Sequence, residues 1–401
     1  MSGVVIVGAG MAGAQLATTL RQKGFERAIT LVGDESRLPY QRPPLSKGFV
    51  KGDGDEASVS IRPEAFYSER SITLRTGVAA TAIDRAARAI TLLDGTSLPY
   101  DHLVLATGAR NRRLPGDAVA LELRTLDHAV DVRRRLWPGC RLVVIGGGFV
   151  GLELASSGLA LGVEVTVVEA LDRLMARAAS PELATYLMDK AVGAGVDIVL
   201  AARVAAIEEG AVMLEGGRRI GADVVVAGIG VVPNTDLARD AGLDVDDGIV
   251  VDSLLRTSDP AISAIGDCAR HPCAITGRAL RLESVQNATD HARAVAARLT
   301  GSAEPYGAVP WFWTEQHGIR VQIAGVADDG ALSVVRGDPS GGAFSVCRFE
   351  ADRLVAVESV NLVADHLGAR RLLAGGLGSR VTPEQVADVT VPLNTLAAQL
   401  V

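Results

Sequence analysis

Two stretches of the chain repeat one pattern of apolar, glycine and helix-forming positions. Each begins with four consecutive apolar residues, at 4–7 and at 142–145, which is typical of a strand buried on both faces. Glycines spaced G-x-G-x-x-G follow, and an Ala- and Leu-rich segment comes next. A further apolar run, at 28–32 in the first copy and at 163–168 in the second, predicts another strand. Each stretch therefore predicts a strand, a tight turn, a helix and a second strand.

The first copy has a carboxylate where a dinucleotide site needs one. Its glycines are Gly8, Gly10 and Gly13. Asp34 follows Gly13 by 34 − 13 = 21 residues, at the end of the second predicted strand. A carboxylate at about this distance accepts hydrogen bonds from an adenosine ribose, and the N–H groups and dipole of the helix start bind the pyrophosphate. The pattern predicts one dinucleotide site here.

The second copy predicts another site of the same kind. Its glycines are Gly146, Gly148 and Gly151, and Glu169 follows the last of them by 169 − 151 = 18 residues. Glycine-rich turns without a ligand are the alternative for either copy, but their repetition in one chain favours two dinucleotides. A protein with two such sites is expected to move a hydride between them, one being a flavin and the other a nicotinamide.

Composition narrows the classes of protein to consider. The chain has 401 residues, enough for two or three domains, and a net charge of −7, which disfavours a nucleic-acid or polybasic membrane partner. The apolar stretch 142–163 contains Glu153 and six glycines, so a strand and a helix explain it better than a membrane span. No basic region precedes the first apolar run, which disfavours a signal peptide. We expect a cytoplasmic protein.

Five further motifs carry a family resemblance. The motifs are LPYQRPPLSK (38–47), LVLATGAR (103–110), AGIGVVPN (227–234), AIGDCAR (264–270) and PWFWTEQ (310–316). In this order along the chain, and together with the two glycine patterns, they resemble the two-dinucleotide flavoprotein superfamily. More narrowly, they are similar to the NADH-dependent ferredoxin reductases of bacterial oxygenase systems, the putidaredoxin reductase-like family.

The resemblance implies a fold and domain boundaries that local patterns do not give. The expected fold class is α/β, with two Rossmann-like dinucleotide-binding domains and a smaller C-terminal α+β domain. Residues 1–110 and 243–315 are expected to form the FAD-binding domain. Residues 111–242 form the NAD-binding domain inserted into it, and residues 316–401 the C-terminal domain.

The resemblance also implies binding residues. Those expected at FAD are Gly8, Gly10, Ala12, Gly13, Asp34, Arg42, Lys47, Ala80, Arg124, Asp267, Val285 and Trp313. Those expected at NADH are Gly146, Gly148, Val150, Gly151, Glu153, Glu169, Gly228, Ile229 and Gly230.

Two residues and one aromatic cluster have alternatives that stay open at this stage. Lys47 and Glu153 are expected to pair near the flavin and to orient the reacting rings, which makes them the candidate catalytic residues. Otherwise Lys47 is a surface lysine and Glu153 a charge favoured at a helix start. Trp313, in the cluster Trp311–Trp313, lies either beside the flavin or in a hydrophobic core.

The positions of the cysteines indicate whether a thiol of this chain or a separate protein accepts electrons from the flavin. The four cysteines are at 140, 268, 273 and 347, so the early cysteines of disulfide reductases and of NADH peroxidases are absent. Cys268 and Cys273 are either bystanders or a redox pair. The cysteines are too scattered to hold an iron–sulfur cluster, and no metal site is predicted. A separate protein is therefore the expected acceptor, and the resemblance implies that it is a 2Fe–2S ferredoxin supplying a haem monooxygenase or a dioxygenase.

The sequence leaves other acceptors and another class of flavoprotein open. The acceptor could be rubredoxin or another carrier, or the chain could be a binding flavoprotein of the apoptosis-inducing type, which its acidity disfavours. A monomer is expected, with no nucleic-acid or membrane partner. Because ferredoxins are commonly acidic, a local basic patch is expected. Its candidates are Arg110, Arg112, Arg113, Arg293 and Arg298.

Overall fold

The structure is a computed structural model that describes residues 3–114 and 120–400. The chain divides into two compact units. The first comprises Met1–Gln41, Val59–Arg110 and Val232–Pro310, and the second comprises Arg42–Ser58, Asn111–Val231 and Trp311–Val401. This division rests on compactness alone, so the boundaries of the three expected domains stay a prediction.

Strands are described throughout both units. In chain order they are β1 (Gly3–Val7), β2 (Ile29–Val32), β3 (Ile72–Arg75), β4 (Ala80–Asp84), β5 (Ala89–Leu92), β6 (Ser97–Leu105), β7 (Ala109–Asn111), β8 (Leu121–Glu122), β9 (Arg141–Ile145), β10 (Glu164–Val168), β11 (Asp197–Val199), β12 (Val204–Glu208), β13 (Ala211–Leu214), β14 (Arg219–Gly221), β15 (Val224–Ala227), β16 (Val231–Pro233), β17 (Ile249–Val250), β18 (Ile262–Ala264), β19 (Ala269–Pro272), β20 (Ala279–Arg281), β21 (Trp311–Gln316), β22 (Ile319–Gly325), β23 (Leu332–Asp338), β24 (Ala343–Glu350) and β25 (Arg353–Val360).

Helices connect them. The α-helices are α1 (Met11–Gln22), α2 (Gly48–Lys51), α3 (Glu56–Val59), α4 (Glu64–Glu69), α5 (Leu126–Arg135), α6 (Phe149–Ala160), α7 (Pro181–Ala194), α8 (Asp236–Asp240), α9 (Val285–Leu299), α10 (Val363–Leu373), α11 (Pro383–Ala387) and α12 (Leu393–Gln399). Short 3₁₀ helices span Pro43–Ser46, Gly266–Cys268, Pro339–Gly341 and Ala374–Arg380.

The first unit is built on the strand that the first glycine pattern predicts. The strand order of its large sheet is β3-β2-β1-β6-β5-β4, with β18 also paired to β6. β2 and β6 run parallel to β1, and all five residues of β1 are buried. Burial on both faces explains why the sequence of this strand is apolar without alternation. The predicted strand, turn, helix and second strand are confirmed.

The second unit contains a parallel sheet, a three-stranded antiparallel sheet of order β12-β13-β14 and a five-stranded antiparallel sheet. The parallel sheet has the order β11-β10-β9-β15-β8, with β9 followed by α6 and β10 as the second glycine pattern predicts. The five-stranded antiparallel sheet, from the C-terminal part of the chain, has the order β21-β22-β25-β24-β23. The α/β fold with a smaller α+β part is therefore confirmed.

A buried carboxylate joins these two parts of the second unit. Glu358, on β25, accepts hydrogen bonds from the Ser180 N–H (2.9 Å) and hydroxyl (2.5 Å) at the start of α7. Arg348 lies 3.5 Å from the same carboxylate. Burial raises the pKa of Glu358, and these donors oppose that rise. The C-terminal part is thus held to α7 by charge-assisted hydrogen bonds.

No helix within residues 3–114 and 120–400 combines the length and hydropathy that a membrane crossing requires. Over the same residues, no group of three or more histidine, cysteine or acidic side chains is placed to hold a metal ion.

Three histidines are buried in the first unit. Burial lowers the pKa of His102 to about 3 and that of His271 to about 4, and it also lowers the pKa of His291 well below its usual value. The rings of His271 and His291 lie 4.5 Å apart and perpendicular, and both contact the ring of Tyr306. These imidazoles are neutral in the folded protein at pH 7.

We expect acid to destabilise the protein before its carboxylates titrate. Below pH about 6.5 the unfolded chain binds protons that these neutral histidines do not, so stability falls as pH falls, by up to about 1.4 kcal/mol per pH unit for each group. His271→Phe keeps a ring against His291 and Tyr306 but removes one titrating group. Its thermal unfolding temperature should fall less between pH 7 and pH 5.5 than that of the wild type. Parallel curves for the two proteins would contradict this account.

Candidate functional site

The first glycine loop is held by backbone contacts that only glycine permits. Gly8 has a φ of +116°, and a Cβ atom added to it would lie 2.0 Å from the Ala106 carbonyl oxygen. A Cβ on Gly13 would lie 2.0 Å from the Gly8 carbonyl oxygen. Around Gly10, in contrast, no atom lies within 4 Å of the added Cβ. The outer glycines are therefore required by packing, and the middle one leaves open space at the start of α1.

The second glycine loop has the same arrangement. A Cβ on Gly146 would lie 2.4 Å from the Gly228 carbonyl oxygen, and one on Gly151 would lie 2.2 Å from the Gly146 carbonyl oxygen. Gly148, at the start of α6, again faces open space within 4 Å. Both loops therefore keep a cradle that a side chain would fill, where a pyrophosphate can approach the backbone.

In each unit a carboxylate follows the strand that comes after the helix of the glycine loop. Asp34 is exposed after β2, and its Oδ1 accepts the Glu35 N–H at 3.0 Å. Glu169, after β10, accepts the Gly147 N–H at 2.7 Å and the Leu171 N–H at 2.9 Å, one on each oxygen. The Glu169 carboxylate is therefore fixed against the glycine loop.

A cation that sequence patterns did not indicate lies beside the loop after β15. Gly230 has a φ of +101°, and the Arg177 guanidinium lies 3.5 Å from the position of an added Cβ there. Gly228 packs against Gly151 and Ile145, while Ile229 is half-buried between these glycines. Arg177 lies in an irregular loop far from Gly230 in sequence, so only the folded chain brings them together.

The other expected flavin residues of the first unit lie near its glycine loop or on its strands. Ala12 on α1 lies beside Gly266, because a Cβ on Gly266 would be 3.0 Å from the Ala12 Cβ. Gly266 precedes Asp267 in a 3₁₀ turn, and its N–H donates to His291 Nδ1 at 3.2 Å. His291 thus holds the turn that presents Asp267. Of the remaining two, Val285 begins α9 and Ala80 begins β4.

Lys47 and Glu153 form an ion pair in the second unit. Lys47 Nζ lies 2.7 Å from Glu153 Oε1 and also donates to the Pro43 carbonyl at 3.2 Å. Glu153 is on the second turn of α6 and is only 5% exposed. Arg42 and Arg124 also meet here in the second unit, with Arg42 Nη1 donating to the Arg124 carbonyl at 2.5 Å.

Two hydroxyl groups complete the environment of this carboxylate, and sequence reasoning missed both. Ser46 Oγ donates to Glu153 Oε2 and Thr314 Oγ1 donates to Glu153 Oε1, each at 2.6 Å. Ser157 Oγ in turn donates to the Ser46 carbonyl at 2.8 Å. The contacts join residues 107 and 161 positions apart, a separation at which no local pattern could reveal them.

β21 places its aromatic residues on two faces. Phe312 packs edge-on against Phe149 of α6, with ring centroids 4.4 Å apart. Trp311 and Trp313 are on the opposite face, 5.7 Å apart, and the Arg370 guanidinium lies 4.9 Å from the Trp311 ring. Both tryptophans remain partly exposed, so they are not simple core residues.

The four cysteines are free and buried. Burial raises the pKa of the Cys268 thiol, which accordingly disfavours the reactive thiolate. Its Sγ donates toward the Ile265 carbonyl at 3.3 Å. The geometry gives Cys268 and Cys273 the character of core thiols.

Most of the candidate basic patch is neutralised within the chain. Arg110 pairs with Asp236 (3.3 Å), Arg113 with Glu122 (2.6 Å) and Arg293 with Asp290 (3.4 Å). Arg298 is half-buried and donates to the Ser263 hydroxyl at 2.5 Å. Arg298 therefore belongs to the interior of the first unit, and we exclude it from the patch.

Comparison with known proteins agrees with the two glycine cradles. Residues 2–292 match the family described as pyridine nucleotide-disulphide oxidoreductase. The chain belongs to this family. Residues 311–397 match the reductase C-terminal family.

Three similar proteins cover nearly the whole chain. Rhodocoxin reductase of Rhodococcus erythropolis is 47% identical over 99% of this chain and 94% of its own. A ferredoxin reductase for the CYP199A2 system from Rhodopseudomonas palustris has a TM-score of 0.95 and 45% identity, covering 99% and 100% of the two chains. The reductase in a covalent putidaredoxin reductase–putidaredoxin complex has a TM-score of 0.96 and 38% identity, covering 100% and 99%.

The family implies FAD and NADH as cofactors, and the residues present fit them. Each unit has one open cradle at a helix start, next to Gly10 or Gly148, with a carboxylate after the following strand. A dinucleotide needs this combination of unobstructed backbone N–H groups and a ribose acceptor.

The glycines of each loop should separate into one that matters for nucleotide binding and others that matter for stability. In the cofactor-free protein, Gly10→Ala and Gly148→Ala should keep the wild-type stability, because nothing occupies the space of the new Cβ. Gly10→Ala should weaken FAD retention and Gly148→Ala should raise the KM for NADH, each by roughly tenfold or more, since the methyl group obstructs the pyrophosphate.

The matched variants are Gly13→Ala and Gly151→Ala. Their methyl groups would meet a carbonyl oxygen at 2.0 Å and 2.2 Å, so both should lose about 1–3 kcal/mol of stability. Thermal unfolding, flavin absorbance and NADH titration measure these effects. Equal unfolding temperatures for all four variants would show that the packing argument is wrong.

Proposed function

We propose that the chain is an FAD-containing NADH–ferredoxin reductase that takes a hydride from NADH and passes single electrons to a 2Fe–2S ferredoxin. That ferredoxin would supply a haem monooxygenase or a dioxygenase. The observation that carries the proposal is the pair of open glycine cradles, one in each unit, each followed by its own carboxylate. The names of the similar proteins supply the acceptor class.

The side chains of the site serve to bind the two nucleotides and to orient them. When bound, FAD supplies the conversion of a two-electron hydride into two single-electron transfers. Asp34 and Asp267 would hold the flavin nucleotide, and Glu169 with Arg177 would hold the nicotinamide nucleotide. Lys47 is kept in place by Glu153, which places its ammonium group as a fixed charge at the reaction site.

The fixed position of Glu169 favours NADH over NADPH. Both of its oxygens accept backbone N–H groups, so the carboxylate cannot turn away from a ribose phosphate without losing these bonds. Like charges about 4 Å apart repel by roughly 4 kcal/mol near a surface. Arg173 does not offset this repulsion, because its guanidinium donates to the carbonyls of Ala176 and Ala179 and pairs with Asp329.

We expect wild type to prefer NADH by about a hundredfold or more in kcat/KM, since ~1.4 kcal/mol corresponds to a factor of ten. Glu169→Gln should reduce this preference in kcat/KM, because it weakens the binding of NADH and removes the charge that repels NADPH. Glu164→Gln, on the same strand and exposed, is the control and should leave the preference unchanged. Equal use of both nucleotides by the wild type would overturn the assignment of Glu169.

The electrons should leave without a thiol relay. Cys268 and Cys273 are buried as free thiols, so Cys268→Ala/Cys273→Ala should reduce ferredoxin at close to the parent rate with flavin content intact. Stopped-flow reoxidation of the reduced flavin by ferredoxin measures this rate. A large loss of that rate with full flavin content would indicate that the thiols carry electrons.

An assay of several electron acceptors side by side tests which acceptor the enzyme reduces. Purified enzyme with NADH, a panel of 2Fe–2S ferredoxins and a rubredoxin, with cytochrome c as the final reporter, should show faster reduction of a ferredoxin. Faster reduction of rubredoxin would replace the acceptor while leaving the enzyme class intact. Retention on heparin at low salt would favour a binding flavoprotein.

We also propose a cytoplasmic location, where free thiols stay reduced.

A further inference from the structure

The loop after β10 is fixed to the second glycine loop on both sides of Arg173. Before this residue, the Leu171 N–H donates to Glu169 Oε1 at 2.9 Å. After it, the Met175 N–H donates to the Gly147 carbonyl at 3.0 Å. The Gly147 N–H in turn donates to Glu169 Oε2 at 2.7 Å. The backbone of Arg173 is therefore held close to the carboxylate that we assign to the adenosine ribose of NADH.

The side chain of Arg173 has other partners. Within the described chain its guanidinium forms no ion pair with Glu169, although the two residues are only four positions apart. Its Nη1 donates to the Ala179 carbonyl at 2.9 Å, and its Nη2 donates to the Ala176 carbonyl at 2.7 Å. The Nη2 also pairs with Asp329, in the turn between β22 and β23. Of these three partners only Asp329 carries a charge.

The turn that presents Asp329 is held by a buried arginine. Arg348 is 3% exposed, and its Nη2 donates to the carbonyls of Asp328 and Ala331 at 3.0 and 3.3 Å. The Asp328 N–H donates to Glu350 Oε1 at 2.7 Å. An exposed carboxylate on a mobile segment contributes little to fixing an arginine. The side chain of Asp329 is 75% exposed, but its backbone is fixed, so it meets Arg173 at a defined place.

NADPH would offer Arg173 a better partner than the two carbonyl groups do. A guanidinium binds phosphate through charge-assisted and often bidentate hydrogen bonds, which are stronger than those to neutral acceptors. The extra phosphate of NADPH would lie at the ribose next to Glu169, where the Arg173 backbone is anchored. Asp329 supplies the charge that competes with this phosphate for the guanidinium.

We propose that Asp329 is a specificity-determining residue of the second nucleotide site. Through its ion pair it keeps the Arg173 guanidinium at the C-terminal sheet, so that a 2′-phosphate meets the fixed Glu169 carboxylate without help from Arg173. Asp329 acts through Arg173 and need not touch the nucleotide, so it is a positioning residue. This inference rests on the proposed function, in which NADH is the hydride donor.

Substitutions of Asp329 test this role at an exposed position, where they should leave the thermal unfolding temperature near that of the wild type. Asp329→Asn removes the charge at constant size, Asp329→Lys repels Arg173, and Asp329→Glu keeps the charge. Asp352→Asn is the matched control. Asp352 is exposed, lines a cleft together with Gly330 of the same turn, and forms no ion pair with Arg173 in the described chain.

The first measurement reports binding without turnover. ADP-ribose and 2′-phospho-ADP-ribose differ only in the phosphate, and calorimetric titration of the FAD-loaded enzyme compares their Kd values. Asp329→Asn should tighten binding of the phosphorylated ligand by about fivefold, the most that an exposed ion pair contributes, and Asp329→Lys by about tenfold or more. Asp329→Glu and Asp352→Asn should match the wild type, and no variant should change the Kd of ADP-ribose.

A double variant shows whether Asp329 acts through Arg173. In an Arg173→Gln background, Asp329→Asn should no longer change the Kd of 2′-phospho-ADP-ribose, because no guanidinium is left to release. A simple loss of negative charge near the site would act equally in both backgrounds. An equal effect of Asp329→Asn with and without Arg173 would therefore overturn the inference.

The second measurement uses steady-state kinetics with ferricyanide, which accepts electrons from reduced flavin directly. Asp329→Lys should raise kcat/KM for NADPH by about tenfold or more, while kcat/KM for NADH stays at the wild-type value. The gain concerns a nucleotide that the wild type rejects, so a general loss of structure does not produce it. Unchanged kcat/KM for NADPH in Asp329→Lys would contradict the proposed role.

Failure of this inference is distinguishable from failure of the proposed function, because neither measurement uses ferredoxin. If the wild type binds both ligands equally, the assignment of Glu169 is wrong, and the role of Asp329 is wrong with it. If the wild type rejects the phosphate and both Asp329→Asn and Asp329→Lys reject it equally, only the role of Asp329 is wrong. A wild type that reduces ferricyanide but no ferredoxin would overturn the proposed acceptor alone.

Discussion

The second unit depends on one buried carboxylate. Glu153 collects an ammonium group and two hydroxyl groups from segments far apart in sequence, at distances of 2.6–2.7 Å. A buried charge is tolerated only when such donors replace its lost hydration. The segment around Ser46, helix α6 and strand β21 therefore have to meet at this point. The position of the Lys47 ammonium group follows from that requirement.

The two glycine loops show how one motif serves packing and binding with different members. The first and third glycines of each loop let the backbone of a neighbouring strand or turn approach to a distance that no side chain allows. The middle glycine is not needed for folding, since open space surrounds it. We therefore expect glycine at that position to matter for the ligand and not for the fold, and the two roles are separable by experiment.

The electron transfer that we propose for this chain needs no thiol chemistry. The cysteines are buried and free, and burial keeps Cys268 as a thiol. The fixed groups at the site are carboxylates, an ammonium and hydroxyls, all held by hydrogen bonds. Groups of this kind are suited to orienting bound nucleotides, while the redox chemistry belongs to the cofactors.

The sequence by itself determined the strand, turn, helix and strand units, both glycine loops and the carboxylates Asp34 and Glu169. These features follow from short-range periodicity and spacing, which a linear chain displays directly. Only the tertiary structure decided that Thr314 reaches Glu153, that Arg177 lies beside Gly230, and that Arg298 is held inside the first unit by Ser263. Each of these contacts joins residues between 35 and 161 positions apart. Such contacts depend on how strands and helices pack, and no local pattern of residues encodes them.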